Sequence, residues 1–301
     1  MGSSSKRPSD AKLVSLLLLM VFAWALNFVI SKIALREMPA PFVVGIRNVV
    51  AGTFMLPFYF WERRTVGPAT WTWRQAPVLF LLGFLGIAMN QLFFVLGIAR
   101  TSVAHAAVVI GLAPVSTTVV AILFGQERVN AKRLVGMALA LSGVGILQLT
   151  HLSETGGRSA SALGDFLIFV SGIAYALFTV LGKRFTAAHS GITMNTFAYA
   201  GSGVALLPLT FYASQGVDLT SFSWAAWLSI GYMAVFSSVM GYMILYWALH
   251  WMPASRVSMF SYAQPVIATV LGIVLLNESP APELYAGGAL VLAGVLVSER
   301  L

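Results

Sequence analysis

The chain has 301 residues, of which 58% are hydrophobic and 9% charged, and its mean hydropathy is +0.86. Soluble domains carry roughly 25% charged residues, so about two thirds of the usual solvating charge is missing and a water-soluble globule is excluded. The absence of cysteine excludes disulfides, thiolate nucleophiles and sulfur-ligated metals, and the four histidines are scattered with no carboxylate at ligand spacing, so no metal and no other cofactor is expected.

A bilayer core about 30 Å thick takes about 20 mostly apolar residues at 1.5 Å rise each. In chain order, ten such runs are predicted: Lys12 to Ile33, Pro41 to Phe60, Ala76 to Ala99, Val103 to Phe124, Lys132 to Leu149, Leu163 to Leu181, Ile192 to Ala213, Trp224 to Leu249, Val257 to Leu276 and Pro282 to Val297. The first has no small-residue cleavage site after it and reads as a retained helix behind a polar tail, residues 1–11. With the N-terminus inside, 13 of the 18 Lys and Arg fall on the cytoplasmic side; the remaining five are Lys32, Arg36, Arg47, Arg100 and Arg158. Both termini are therefore expected in the cytoplasm. The net charge of +8 then reads as a topological signal facing lipid phosphate, not as a nucleic-acid patch.

At an offset of 151 residues the two halves of the chain match without a gap over most of their length. Ala23-Trp-Ala-Leu26 falls on Ala174-Tyr-Ala-Leu177, Lys32 on Lys183, Leu56-Pro57 on Leu207-Pro208, Trp73 on Trp224, Pro114-Val115 on Pro265-Val266 and Glu127 on Glu278. Leu, Val and Ala match by chance in apolar helices; paired Pro, Trp, Lys and Glu in one register do not. The expected fold class is thus an all-α integral membrane protein of ten transmembrane helices in two inverted five-helix repeats. These are residues 12–149 and 163–301, joined by an extracytoplasmic linker at 150–162. Five is odd, so the second repeat enters the membrane from the opposite side, the architecture of alternating-access carriers with a midplane site on the pseudo-two-fold axis.

A Pro midway along the fourth and ninth spans (Gly111-Leu-Ala-Pro114-Val and Tyr262-Ala-Gln-Pro265-Val), followed by Gly125-Gln-Glu127 and Leu276-Asn-Glu278, resembles the EamA branch of the drug/metabolite transporter superfamily over residues 12 to 299. Within it, by overall similarity, the chain resembles the YddG-like group of bacterial aromatic amino acid exporters. The resemblance implies a multi-pass carrier of the bacterial inner membrane.

Pro114 and Pro265 each remove a helical hydrogen bond from the carbonyl four residues earlier and read as hinges. Glu127 and Glu278 lie at span ends and read as helix-entry caps or ion-pair partners of Arg128 or Lys132. All ten acidic residues fall in tails, loops or first turns, which disfavours a bare cation as substrate. Lys32, Lys183, Arg47, Arg100 and Arg256 lie near span ends, which disfavours phosphorylated sugars and leaves a neutral or zwitterionic molecule.

The mid-span polar and aromatic residues are the substrate-binding candidates: Trp24, Asn27, Asn90, Tyr175, Phe178, Tyr242, Tyr246, Ser258, Tyr262 and Gln264, with Gln91 beside Asn90. An amide in hydrocarbon costs on the order of 4 kcal/mol if unpaired, so these groups must face protein or a wet cavity. Trp24 and Tyr175 are repeat mates that a pseudo-two-fold axis would bring together. Small-residue faces on the fifth span (Gly136, Ala140, Gly143) and the tenth (Gly287, Gly288, Ala293, Gly294) allow close packing within a monomer or between two copies. The expectation is an exporter of aromatic or other apolar amino acids, or of related small neutral metabolites, working by alternating access. The alternatives are a broad-specificity drug or metabolite exporter and an integral-membrane enzyme, the latter without any visible acid, base or nucleophile cluster.

Overall fold

The computed structural model describes residues 8–65, 73–101, 103–128, 130–153, 162–186, 190–276 and isolated positions between 286 and 297. Among the described residues there is no strand. Helix α1 (Asp10–Ala34) starts where the Ser9 side chain accepts from the Lys12 amide, and α2 (Ala40–Thr65) follows a short turn. Helix α3 runs from Ala76–Gly83 through a π-helical segment, Phe84–Met89, into Asn90–Ile98. Helix α4 is two pieces, Val103–Ile110 and Ala113–Leu123, with a turn at Gly111 and Leu112. Then come α5 (Ala131–Ser153), α6 (Ala162–Thr186) and α7 (Gly191–Ser214). Helix α8 passes from Trp224–Tyr232 through a π segment, Met233–Met240, into Gly241–Trp251. Helix α9 joins Ala254–Met259 to Ala263–Leu276 by a 3₁₀ turn at Phe260–Tyr262.

Of the ten predicted spans, nine are thus seen as helices among the described residues, while the tenth run and Glu278 lie largely outside them. Six helices, α1, α2, α3, α6, α8 and α9, are individually long and apolar enough to cross a membrane. Helix α4 falls short because its break leaves pieces of 8 and 11 residues, and α7 is diluted by Thr193, Asn195, Thr196 and Ser202. The outward faces carry Leu18, Phe22, Phe54, Phe58, Leu228 and Val274, all exposed, as a lipid solvent permits.

The helices of one repeat pack chiefly on helices of the other. The most extensive contact is α2 on α7, α3 and α4 pack on α6, and α8 and α9 pack on α1. Two glycines of α3 make this possible: a Cβ on Gly83 would collide with the backbone of Ala198 in α7, and one on Gly86 with the ring of Phe178 in α6. The 151-residue offset survives at the level of single bonds. Lys32 Nζ donates to the Thr101 carbonyl at 2.7 Å and its mate Lys183 to the Met252 carbonyl at 2.8 Å. Thr118 Oγ1 bonds the Pro114 carbonyl at 2.9 Å and Thr269 the Pro265 carbonyl at 2.7 Å. The two π segments and the two interruptions ahead of the prolines fall at matching positions as well.

Side chains close the bundle at its two ends. At one end Glu37 accepts from the Ser223 amide (2.7 Å) and hydroxyl (2.6 Å), and Thr101 donates to Asp165 (2.8 Å). At the other, Ser190 donates to Glu62 (2.6 Å), and Glu127 accepts from both the amide (3.1 Å) and the hydroxyl of Ser255 at the start of α9. Glu127 pairs with Arg133 at 3.0 Å, one helical turn into α5, and not with Arg128 or Lys132 as its place in the sequence suggested. The cap therefore spans the two repeats.

Candidate functional site

A cavity with about 590 Å³ of empty volume, including the open space at its mouth, lies among α1, α2, α3, α4, α6, α8 and α9. Its lining includes Trp24, Asn27, Phe28, Arg47, Asn90, Gln91, Tyr175, Ser237, Tyr242 and Gln264. Local structure explains why these side chains converge. A π segment replaces the usual i to i−4 bonding, and such segments cluster at functional sites. In α8 it places the Ser237 carbonyl 2.9 Å from the indole Nε1 of Trp24, which donates to it, while the Ser237 and Ser238 hydroxyls both turn toward Arg47. In α3 the π segment ends at Asn90, whose Nδ2 donates to the Ser171 carbonyl (2.9 Å) and hydroxyl (3.0 Å) and whose Oδ1 accepts from Tyr242 (3.2 Å).

The repeat mates Trp24 and Tyr175 meet edge to face, with ring centroids 5.7 Å apart and planes at 89°; Tyr242 tilts against the other flank of Trp24 at 5.6 Å and 58°. Of the residues singled out by sequence, Trp24, Asn27, Asn90, Tyr175, Tyr242 and Gln264 line the cavity. Phe178, Tyr246, Ser258 and Tyr262 do not. Phe178 packs edge to face on Tyr242 (5.7 Å) and Tyr246 (5.4 Å), forming a layer behind the wall, Ser258 is fully buried, and Tyr262 is buried with Met137 and Met259. Pro114 and Pro265 sit just after the helix breaks, and the residues four before each, Ile110 and Ser261, both line the cavity.

Several polar atoms at the cavity have no protein partner among the described residues: Asn27 Oδ1, both side-chain polar atoms of Gln91, and the Tyr175 hydroxyl.

Arg47 was placed near a span end by the sequence, and the structure corrects this. Helix α2 begins at Ala40, which puts Arg47 about 10 Å along the helix. It is 3% exposed and lines the cavity. Its Nε donates to Ser238 Oγ at 2.8 Å and its Nη2 to Ser237 Oγ at 3.2 Å, and among the described residues no carboxylate pairs with it. The argument that no cation is buried, used above to disfavour phosphorylated sugars and leave a neutral or zwitterionic molecule, therefore fails at Arg47. The missed signal was a single Arg seven residues inside a helix without a charged mate, since the 151-residue offset puts Ala198 opposite it.

A membrane-spanning bundle around a polar and aromatic cavity, built twice over in one chain, is the form of a small-molecule carrier. The chain belongs to the EamA-like transporter family, whose sequence profile matches twice, at residues 11–149 and 162–299. Its relatives include an uncharacterized transporter of Archaeoglobus fulgidus, 30% identical over 94% of this chain and 97% of that one. A probable amino-acid metabolite efflux pump of Escherichia coli is 25% identical over 94% and 93%. The uncharacterized inner membrane transporter YedA of the same organism is 26% identical over 91% and 87%. A solved crystal structure shares the fold with a TM-score of 0.75 over 97% of this chain and 98% of the other, at 16% identity. The protein is thus a multi-pass membrane transporter.

Proposed function

We propose that the protein exports amino acids, with aromatic and other apolar side chains preferred, across the inner membrane by alternating access between inverted repeats. The observation that carries the reading is the cavity itself: Trp24, Tyr175 and Tyr242 supply ring faces and edges for a planar side chain, and the amides of Asn27, Gln91 and Gln264 stand beside them for polar groups every amino acid shares. The preference for aromatic cargo rests on these rings. The relative in Escherichia coli, a probable amino-acid metabolite efflux pump, supports the amino-acid class. The helix breaks before Pro114 and Pro265 supply the hinges. The end of the bundle that carries Arg63, Arg64, Arg128, Lys132 and Arg133 faces the cytoplasm, together with both termini.

The deciding experiment is flux in proteoliposomes with a panel of labelled amino acids. The reading expects saturable uptake of Phe, Trp or Leu accelerated by unlabelled substrate on the opposite side. Flux that rises linearly with concentration and shows no counter-exchange would make the protein a channel. Transport of hydrophobic cations or unrelated drugs, with no amino acid moved, would favour a broad drug exporter.

A further inference from the structure

We propose that Arg47 holds the carboxylate of the transported molecule, so that the carrier accepts zwitterions and monoanionic carboxylates and rejects the corresponding amides and amines. The inference rests on the amino-acid reading above and names the group by which the cavity grips its cargo.

A guanidinium stays charged at any accessible pH and carries five N–H donors. That of Arg47 is withdrawn from water, and its protein acceptors are two neutral hydroxyls, Ser237 and Ser238. Nη1 has no protein acceptor among the described residues. Burying an ion with no counter-charge costs several kcal/mol, and a neutral hydroxyl offsets only part of that. A structural arginine would have an acidic neighbour. Among the described residues the cavity wall holds one cation and no carboxylate, so the anion that completes the pair enters with the cargo.

The number of charges selects the class of anion. One guanidinium matches one carboxylate, whereas a phosphate monoester at about −1.5 to −2 would bring surplus negative charge into the same low-dielectric space. The rest of an amino acid also finds partners. The faces of Trp24 and Tyr242 attract an ammonium group, and the amides of Asn27, Gln91 and Gln264 lie in the same wall. The π segment of α8 ties the two recognition elements together. Ser237 takes the Trp24 indole on its carbonyl and the Arg47 guanidinium on its hydroxyl, so a shift of this segment moves the side-chain wall and the carboxylate anchor as one piece.

The test uses the purified full-length protein and four probes that share a benzyl group: L-phenylalanine, 3-phenylpropanoate, L-phenylalaninamide and 2-phenylethylamine, with affinity read by calorimetry. The expected result is binding of the two carboxylates, with the amide and the amine weaker by about 10- to 100-fold, the effect of losing one charge-assisted hydrogen bond. Arg47→Gln should erase this preference and Arg47→Lys should keep most of it. If Arg47→Gln fails to fold, the four probes on the wild-type protein still decide. Equal affinity for L-phenylalanine and its amide would overturn the role of Arg47 and leave the amino-acid reading standing. Binding of 3-phenylpropanoate without L-phenylalanine would uphold Arg47 and retire the amino-acid reading. Binding of neither carboxylate overturns the proposal.

Discussion

Replacing Trp24 by Ala tests the aromatic wall directly. In the folded protein the indole makes two ring contacts, with Tyr175 at 5.7 Å and Tyr242 at 5.6 Å, and one hydrogen bond, to the Ser237 carbonyl at 2.9 Å. Each ring pair is worth about 0.5–1.5 kcal/mol beyond burial and the hydrogen bond about 1 kcal/mol net, so the variant should lose about 2–4 kcal/mol of stability. The same loss of ring surface should weaken an aromatic cargo by about 0.5–1.5 kcal/mol, which is about 2- to 13-fold in affinity, and an aliphatic cargo by less. Trp24→Phe keeps one aromatic ring but loses the N–H and part of the indole surface, so it should restore part of the aromatic preference while leaving the Ser237 carbonyl without its donor. Competition by Phe, Trp, Leu and Thr against labelled substrate in proteoliposomes, with thermal unfolding as the folding control, reads both effects. If Trp24→Ala leaves aromatic and aliphatic competition in the wild-type ratio, the ring does not touch cargo and its contacts to Tyr175 and Tyr242 are packing.

Glu127→Gln should retain substrate-driven transport while losing about 1–3 kcal/mol of stability, because the carboxylate joins Arg133 to the start of α9 and lies away from the cavity; complete loss of flux in folded protein would instead give it a coupling role. Lys32→Met and Lys183→Met should cost similar amounts, about 1.5–3 kcal/mol each by thermal unfolding, since each removes the same bond from a lysine to a carbonyl at the turn between the third and fourth helices of its repeat; a silent substitution at one site alone would break the equivalence. The hydroxyl and amide of Ser223 hold the Glu37 carboxyl below the usual carboxylate range. A depressed folded value means that its stabilising contribution is present above the unfolded value and vanishes as pH falls through the folded one. Wild type should therefore lose a small increment of thermal stability below about pH 4.3 that Glu37→Gln lacks, and parallel pH curves for the two would refute the linkage. On a background without cysteine, Ser221→Cys should react with a membrane-impermeant maleimide from outside intact cells and Asn130→Cys only after permeabilisation; the reverse pattern would invert the orientation.

The long apolar helices were legible because hydropathy over about 20 residues is a bulk property that few alternatives share. Helix α3, expected over Ala76 to Ala99, ends at Ile98, and α8, expected from Trp224 to Leu249, ends at Trp251. The repeat was legible for a different reason. Lys32 and Lys183 or Pro114 and Pro265 are rare residue types in apolar helices, and a common register for them has a physical cause in the bonds they share. The π segments were invisible, because an inserted residue changes the bonding pattern without changing composition. Which face a mid-span aromatic presents was equally hidden. Tyr242 and Tyr246 are one turn apart on α8, yet one lines the cavity and the other packs behind it. Arg47 was misplaced because its environment is made by Ser237 and Ser238, a tertiary arrangement with no trace in the neighbouring sequence.

The partners of Arg47 lie 190 and 191 residues further along the chain, and that distance orders the birth of the protein. At about 5–20 residues per second of synthesis, α2 waits roughly 10 to 40 seconds before α8 leaves the ribosome. An arginine at the centre of a membrane helix costs about 2.5–3.5 kcal/mol on insertion scales and one nearer the end costs less, so during that interval α2 carries part of this cost with its guanidinium drawn toward the headgroups. Gly83 and Gly86 wait likewise for the surfaces of α7 and α6 that they are shaped to meet. The first repeat is therefore a half-built frame: with the arrival of α8 the serines dock the arginine and the indole finds its carbonyl, and the cavity wall is completed only when α9 brings in Ser261 and Gln264.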